Sequence, residues 1–213
     1  MAKPAPNLAQ KSGGRESRAA GNATRDRVLA VALDLFNAHG PDRVTTADIA
    51  AAAAINEGNL YYWFARKAQI VEAIFVQFEQ SMLDVAHREL GAPNLRESYD
   101  TYQRGWFGLT REYRFFYRDG MALRVMVPDL KGRINALNTR AQSEVRRVFD
   151  VMRSNGLMRA TDDDLAALIA NLWIVSGYWM DFYALRHDGA VIEAEALAWG
   201  ARQVESLVRP YLV

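Results

Sequence analysis

The sequence predicts an all-α fold on three observations. Apolar residues recur at helical spacing along nearly the whole chain, no segment sustains the strict alternation of a strand between hairpin turns, and Gly or Pro falls between the periodic runs. Half of the 213 residues are apolar. That is enough for a sizeable core, shared between a small N-terminal three-helix unit over 23–68 and a larger helical unit over 69–213, about nine helices in all.

Residues 1–22 are rich in Ala, Pro, Gly, Ser and basic side chains, with no apolar stretch, and read as a disordered basic tail rather than a signal peptide. A first helix follows over about 24–38, with Val28, Leu29, Ala32, Leu33 and Phe36 on one face, Thr24 as N-cap and Gly40-Pro41 as the stop. Thr45-Thr46-Ala47-Asp48 matches the capping-box pattern, and Ile49, Ala50 and Ala53 form the buried face of a second helix ending near Ala54. Asn56 caps a third helix of about two turns, in which Leu60 and Phe64 face inward. Its opposite face carries Gly58, Asn59 and Tyr62, flanked by Tyr61 and Trp63. Longer helices are predicted over 68–90, 95–113, 115–126, 129–154, 162–187 and 190–209, separated by Gly91/Pro93, Pro128, Gly156 and Gly189.

Several function classes lose their chemical basis. The chain has no cysteine, so disulfides, thiolate metal sites and cysteine nucleophiles are excluded. His39, His87 and His187 lie far apart and show no metal-ligand spacing. There is no nucleophile elbow, glycine-rich phosphate loop or nearby base–nucleophile pair, so neither an enzyme nor a cofactor is expected. Asp162-Asp163-Asp164 suits the partial positive charge of a helix start better than a cation. Leu165–Met180 is short for a membrane span, holds Asn171 and Ser176, and runs into Asp181, which favours a buried helix and a cytoplasmic protein. Net charge is +1, but up to Lys67 nine basic residues stand against six acidic ones, a modest excess that permits nucleic acid binding.

Two short helices joined by a tight turn, the second exposing small and hydrogen-bonding side chains, meet the requirement for reading a DNA major groove. Gly58 lets the backbone come close, Asn59 can bond base edges, and the hydroxyls of Tyr61 and Tyr62 can reach phosphates or bases. Thr45, Thr46 and Lys67 offer phosphate-binding donors on either side. The competing classes are an enzyme on a helical scaffold and a protein-interaction adaptor, with 24–67 then a plain helical subdomain.

The stretch 24–74 resembles the DNA-binding region of the TetR/AcrR family of regulators, whose pattern is met by Ile49-Ala50, then Leu60-Tyr61, Phe64 and Lys67. The resemblance implies phosphate contacts by Thr46, Tyr61 and Lys67 and a base-facing neighbourhood of Ala47, Glu57, Gly58, Asn59 and Tyr62. Two positions depart from the pattern. Ala54 stands where the family usually has glycine, so either it takes a positive φ at a cost of about 1 kcal/mol or the second helix turns later. Glu57 places an acid on the reading helix, where it either stabilises the helix start or accepts a hydrogen bond from cytosine.

In the larger unit, residues 111–124 resemble one subgroup of these regulators, and the Arg118-Asp119 pair is expected to be a structural ion pair rather than part of a ligand cavity. Tyr102, Trp106, Met121, Met126, Trp173 and Tyr178 are candidates to line an apolar effector pocket. Leu165, Leu168, Ile169, Leu172, Trp173, Ser176 and Trp179, with Val191, Leu197, Val204, Leu207 and Val208, make the last two helices apolar on more than one face, which suggests a homodimer. The expected protein is therefore a repressor that binds double-stranded operator DNA and is released by a small-molecule effector.

Overall fold

The computed structural model describes residues 10–89, 94–187 and 193–213. Among them are ten α-helices: α1 (Gln10–His39), α2 (Thr46–Ala52), α3 (Glu57–Trp63), α4 (Lys67–Ala86), α5 (Leu95–Glu112), α6 (Arg114–Arg118), α7 (Gly120–Met126), α8 (Leu130–Ser154), α9 (Asp162–Arg186) and α10 (Ala194–Val208). A 3-10 turn, Arg209–Tyr211, follows. The chain divides into two compact units, Met1–Ile74 and Phe75–Val213.

The core of the first unit follows its predicted periodicity, except that Leu33 is only half-buried. Val28, Leu29, Ala32 and Phe36 of α1 are buried together with Ile49 and Ala50 of α2, Leu60 of α3 and Ile70, Val71 and Ile74 of α4. Gly40, at φ 84°, ends α1 in the left-handed region that glycine adopts freely.

The start of α1 differs from the sequence expectation. The helix begins at Gln10, so residues 10–22, expected as tail, are helical and Thr24 lies inside the helix rather than capping it. Residues 1–9 lie outside the described residues. Arg, Glu and Ala dominate 15–20 with no proline, and lengthening an existing helix avoids the cost of nucleation. Gly21 adds a tertiary reason, because a Cβ there would come within 3.0 Å of the Trp63 ring.

In the second unit, Tyr99 and Tyr102 of α5, Val145, Val148, Phe149 and Met152 of α8, Leu165, Leu168, Ile169 and Leu172 of α9 and Val208 of α10 form one buried cluster. Thr161 and Asp164 make a capping box at the start of α9, and Asp162 bridges Arg146 and Arg153 at 2.7 Å each. The three aspartates thus serve the helix start and its neighbour α8. Gly200 lets α9 and α10 approach closely, since a Cβ there would fall 2.6 Å from the Trp179 ring. The chain end is tied down by Arg159 N–H donating to Tyr211 O at 2.8 Å and Val213 N–H donating to Leu157 O at 3.1 Å.

One predicted helix, 115–126, is two. It breaks at Asp119, at φ −103° and ψ 25°, between α6 and α7. Asp119 accepts hydrogen bonds from Arg118 Nε at 3.1 Å and Nη2 at 2.7 Å, and Gly120 follows it. A side chain engaged so locally, followed by a weak helix former, favours a break. α4 ends at Ala86, four residues early, and the predicted boundaries at 90 and 190, with Val191, lie outside the described residues.

Candidate functional site

The turn between α2 and α3 places the first unit's outward edge. Thr45 caps α2 reciprocally with Asp48: its hydroxyl accepts from Asp48 N–H, while its own N–H donates to the carboxylate at 2.8 Å. The Thr45 hydroxyl also donates to that carboxylate at 2.7 Å, and this bond, with the one from the Thr45 N–H, holds the Asp48 carboxyl below its ordinary value. At the other end of α2, Ala54 N–H donates to Ala51 O and Ile55 N–H to Ala50 O, both at 3.0 Å, which satisfies carbonyls the helix leaves open. This geometry requires a left-handed residue, and Ala54 supplies it at φ 53°. The first of the two alternatives for Ala54 is the one adopted. Arg27 of α1 secures the same turn by donating to Ala53 O at 3.0 Å, a role that sequence spacing does not announce.

Asn56 caps α3 through its side-chain oxygen, which accepts from Asn59 N–H at 2.7 Å. Leu60 is fully buried, and the opposite edge is open: Tyr62 is 79% exposed and Tyr61 47%, with Glu57, Gly58 and Asn59 exposed beside them and Ala47 and Thr45 exposed on α2 and its cap. The Thr46 and Tyr61 hydroxyls lie 3.1 Å apart, so the start of α2 and the middle of α3 share one hydrogen bond.

Two predicted residues are placed less simply. Trp63 is half-buried, edge-on to Tyr62 at 5.0 Å between ring centres and against Gly21, so much of its surface is used in packing. Lys67 directs its ammonium to the carbonyls of Pro41 at 2.6 Å and Val44 at 2.7 Å. Two of its three protons therefore hold the loop that leads into α2.

The second unit contains a cavity of about 360 Å³. Tyr102, Trp106 and Trp173 line it; Met121, Met126 and Tyr178 do not. Met121 and Tyr178 are exposed, at 75% and 52%. Further aromatic residues, among them Phe75, Phe78, Phe107, Phe116 and Tyr117, complete the walls, while Arg118 and Asp119 are not among the lining residues. Burial pushes the Tyr102 phenol up to about 12, against the opposing effect of Trp106, and Tyr117 likewise up to about 12, against that of Thr110. Among the described residues, neither of the buried atoms Tyr102 Oη and Trp106 Nε1 meets hydrogen-bond geometry with a partner.

On α9, Ile174, Tyr178, Phe182 and Leu185 are exposed at helical spacing, forming an apolar stripe. Asp181 lies beside it, its carboxyl raised by partial burial and by the Asp119 charge, with Arg118 opposing. This helix is long and apolar enough to cross a membrane by length and composition, although Asp181 sits within it.

Comparison with known proteins decides the family. Residues 28–74 match the model of bacterial regulatory proteins of the tetR family, and residues 77–213 match a TetR model described as a bacterial transcriptional repressor. The chain belongs to the TetR family. A TetR-family transcriptional regulator from Marinobacter aquaeolei VT8 is 32% identical, with a TM-score of 0.78 over 89% of this chain and 91% of that one. The nucleoid occlusion factor SlmA of Escherichia coli is 28% identical over 162 residues, 71% of this chain and 79% of SlmA. PfmR from Thermus thermophilus, at 17% identity and a TM-score of 0.65 over 86% of this chain and 97% of that one, shares the fold. As a TetR-family member the protein is a DNA-binding transcriptional regulator with an N-terminal helix-turn-helix and a helical C-terminal domain.

Proposed function

We propose that this TetR-family regulator is a homodimeric repressor that presents the Gly58-Asn59-Tyr62 edge of α3 to the major groove of its operator and is released by a small molecule held in the second unit. The observation that carries the reading is the two-sidedness of α3, with Leu60 fully buried and Tyr62 79% exposed. A large aromatic side chain so exposed on a seven-residue helix, with only its edge-on contact to Trp63 among the described ring pairs, does little for the subunit's own core. Thr46 and Tyr61, joined through their hydroxyls, are the phosphate-facing pair, with Thr45 and the remaining proton of Lys67 beside them.

The apolar stripe of α9 supports dimerisation, because a second copy would cover Ile174, Tyr178, Phe182 and Leu185. Two copies double the groove contacts, which one short helix cannot supply for tight binding. The effector acts by binding more tightly to the form that cannot engage DNA; α4, which begins at Lys67 and continues to Ala86, is the element that carries the change. An operator-binding protein of this kind works in the cytoplasm, and its activity calls for no catalytic group.

Retardation of DNA flanking the protein's own gene, titrated across salt concentration, tests this. Salt-sensitive retardation at a defined site is the expected result, with Tyr62→Ala losing selectivity while remaining folded. Absence of any retained complex, or a Tyr62→Ala protein that binds as tightly and selectively as the parent, would remove the reading. Sedimentation should give twice the chain mass, and Leu185→Glu should halve it.

A further inference from the structure

The cavity of the second unit has a chemical polarity of its own. Among the described residues two cations, Arg124 and Lys131, line it, and no Asp or Glu does. Both cations are exposed, and among the described residues neither is engaged in an ion pair. Lys131 stands in the first turn of α8, whereas Val145 and Phe149, near its other end, also line the space. At 1.5 Å per helical residue the cavity therefore runs on the order of 20 Å along α8. The cavity, about 360 Å³ in volume, is thus an elongated channel along α8.

The far end of the channel differs from the mouth. Tyr102 packs with Val145, Val148 and Phe149, and Trp106 packs against the same cluster. Tyr102 is 3% exposed; the Trp106 indole N–H lies close enough to its hydroxyl to oppose the rise of the phenol, yet among the described residues neither atom meets hydrogen-bond geometry with a partner. A buried N–H or O–H left unpaired is unfavourable, because it has given up its bonds to water and gained none in exchange. An indole can only donate, so the group that would satisfy the pair is an oxygen acceptor.

Resting on the reading of this cavity as the effector site, we infer that its ligand is an elongated amphipathic carboxylate carrying an uncharged oxygen acceptor remote from the charge, as an oxo-fatty acid does. The carboxylate meets Arg124 and Lys131, the chain lies against the aromatic walls, and the remote oxygen accepts from Tyr102 Oη and Trp106 Nε1. A plain hydrocarbon end would leave both donors unpaired. A cationic amphiphile would meet two like charges at the mouth.

Three probes below their micellar concentrations separate the terms: hexadecanoate, its 15-oxo derivative and hexadecylamine, titrated into the full chain by tryptophan fluorescence, which Trp106 and Trp173 of the cavity wall report. The acids should bind at least tenfold tighter than the amine, with the oxo acid tightest. Arg124→Gln with Lys131→Gln, both exposed and harmless to folding, should abolish the preference for acids over the amine; Tyr102→Phe should narrow the gap between oxo and plain acid. An amine that binds within threefold of the acids, a double variant that keeps full acid affinity, an oxo group that adds nothing, or no binding of any probe would overturn the assignment. Operator retardation with the same probes keeps the two ideas apart. Release driven by the amine would leave the effector site standing and sink the ligand class, whereas tight acid binding without release would do the reverse.

Discussion

Lys67 Nζ lies 2.7 Å from the carbonyl oxygen of Val44 and 2.6 Å from that of Pro41, so the ammonium at the start of α4 closes the loop that delivers α2 to its position. A cation that family resemblance assigns to DNA phosphate is first a brace. Lys67→Met keeps the apolar stem and removes the donors, leaving two carbonyls without them. Hydrogen bonds to a charged group contribute about 1.5–3 kcal/mol, and part of that is recovered by water at this half-buried site. Urea unfolding should therefore show a loss of about 1–2 kcal/mol. The slope of log affinity against log salt should fall by about one if the third proton reaches a phosphate. Unchanged stability would refute the brace.

Gly58 makes the opposite case, a residue whose form the protein itself does not need. It sits within α3, and a Cβ there would meet only Asn56 Oδ1, at an ordinary 3.4 Å. Alanine is the better helix former by about 1 kcal/mol. Gly58→Ala should leave the melting temperature equal or higher while weakening operator binding several-fold, because in the proposed docking the added methyl would stand where the helix approaches the groove. A variant that binds DNA as well as the parent would place the contact elsewhere.

Ala54 carries strain that glycine would relieve. Its φ of 53° belongs to the left-handed region, which costs a residue with a Cβ about 1–2 kcal/mol, while glycine adds back some entropy in the unfolded chain. Ala54→Gly should stabilise the protein by about 0.5–1 kcal/mol in chemical denaturation without altering oligomeric state. A loss of stability would mean that the Ala54 methyl makes a contact worth more than the strain.

What could be read from the sequence follows the range of the forces involved. The caps at Thr45 and Asn56, the stop at Gly40 and, save for the half-buried Leu33, the inward stripe of Val28, Leu29, Ala32 and Phe36 are set by residues within one or two turns, and they stand as predicted. The exposed edge of α3 follows from the same periodicity once Leu60 is placed inside. The rest depends on partners distant in sequence. Nothing near Lys67 shows that its ammonium is committed 23 and 26 residues away, and nothing near Arg27 shows that it holds Ala53. Trp63 looks free on its own helix, and its neighbour Gly21 lies on another. Cavity walls are the extreme case. An aromatic at helical spacing lies toward the interior wherever the interior is, so Tyr102 and Trp173 could be told from Met121 and Tyr178 only by the arrangement of whole helices.

The ion cluster at the start of α9 gives a dependence on pH whose sign can be worked out. Asp162 accepts from Arg153 and Arg146, and those guanidinium groups hold its carboxyl below the ordinary value of 3.8; the Thr161 hydroxyl and N–H do the same for Asp164. A carboxyl with a depressed folded value binds its proton less readily when folded than when unfolded. Its stabilising effect is therefore fully present above the unfolded value and is lost as pH falls through the folded one. Unfolding midpoints should thus hold steady from neutral pH down to about 5 as far as these groups are concerned, then decline modestly below about 4. Asp162→Asn, which keeps the size and one acceptor but not the charge, should lower the midpoint modestly at pH 7 and flatten the acid limb. Because Asp162 is 73% exposed, high salt should shrink both effects. Parallel acid limbs in parent and variant would show that the cluster does not contribute to the pH dependence.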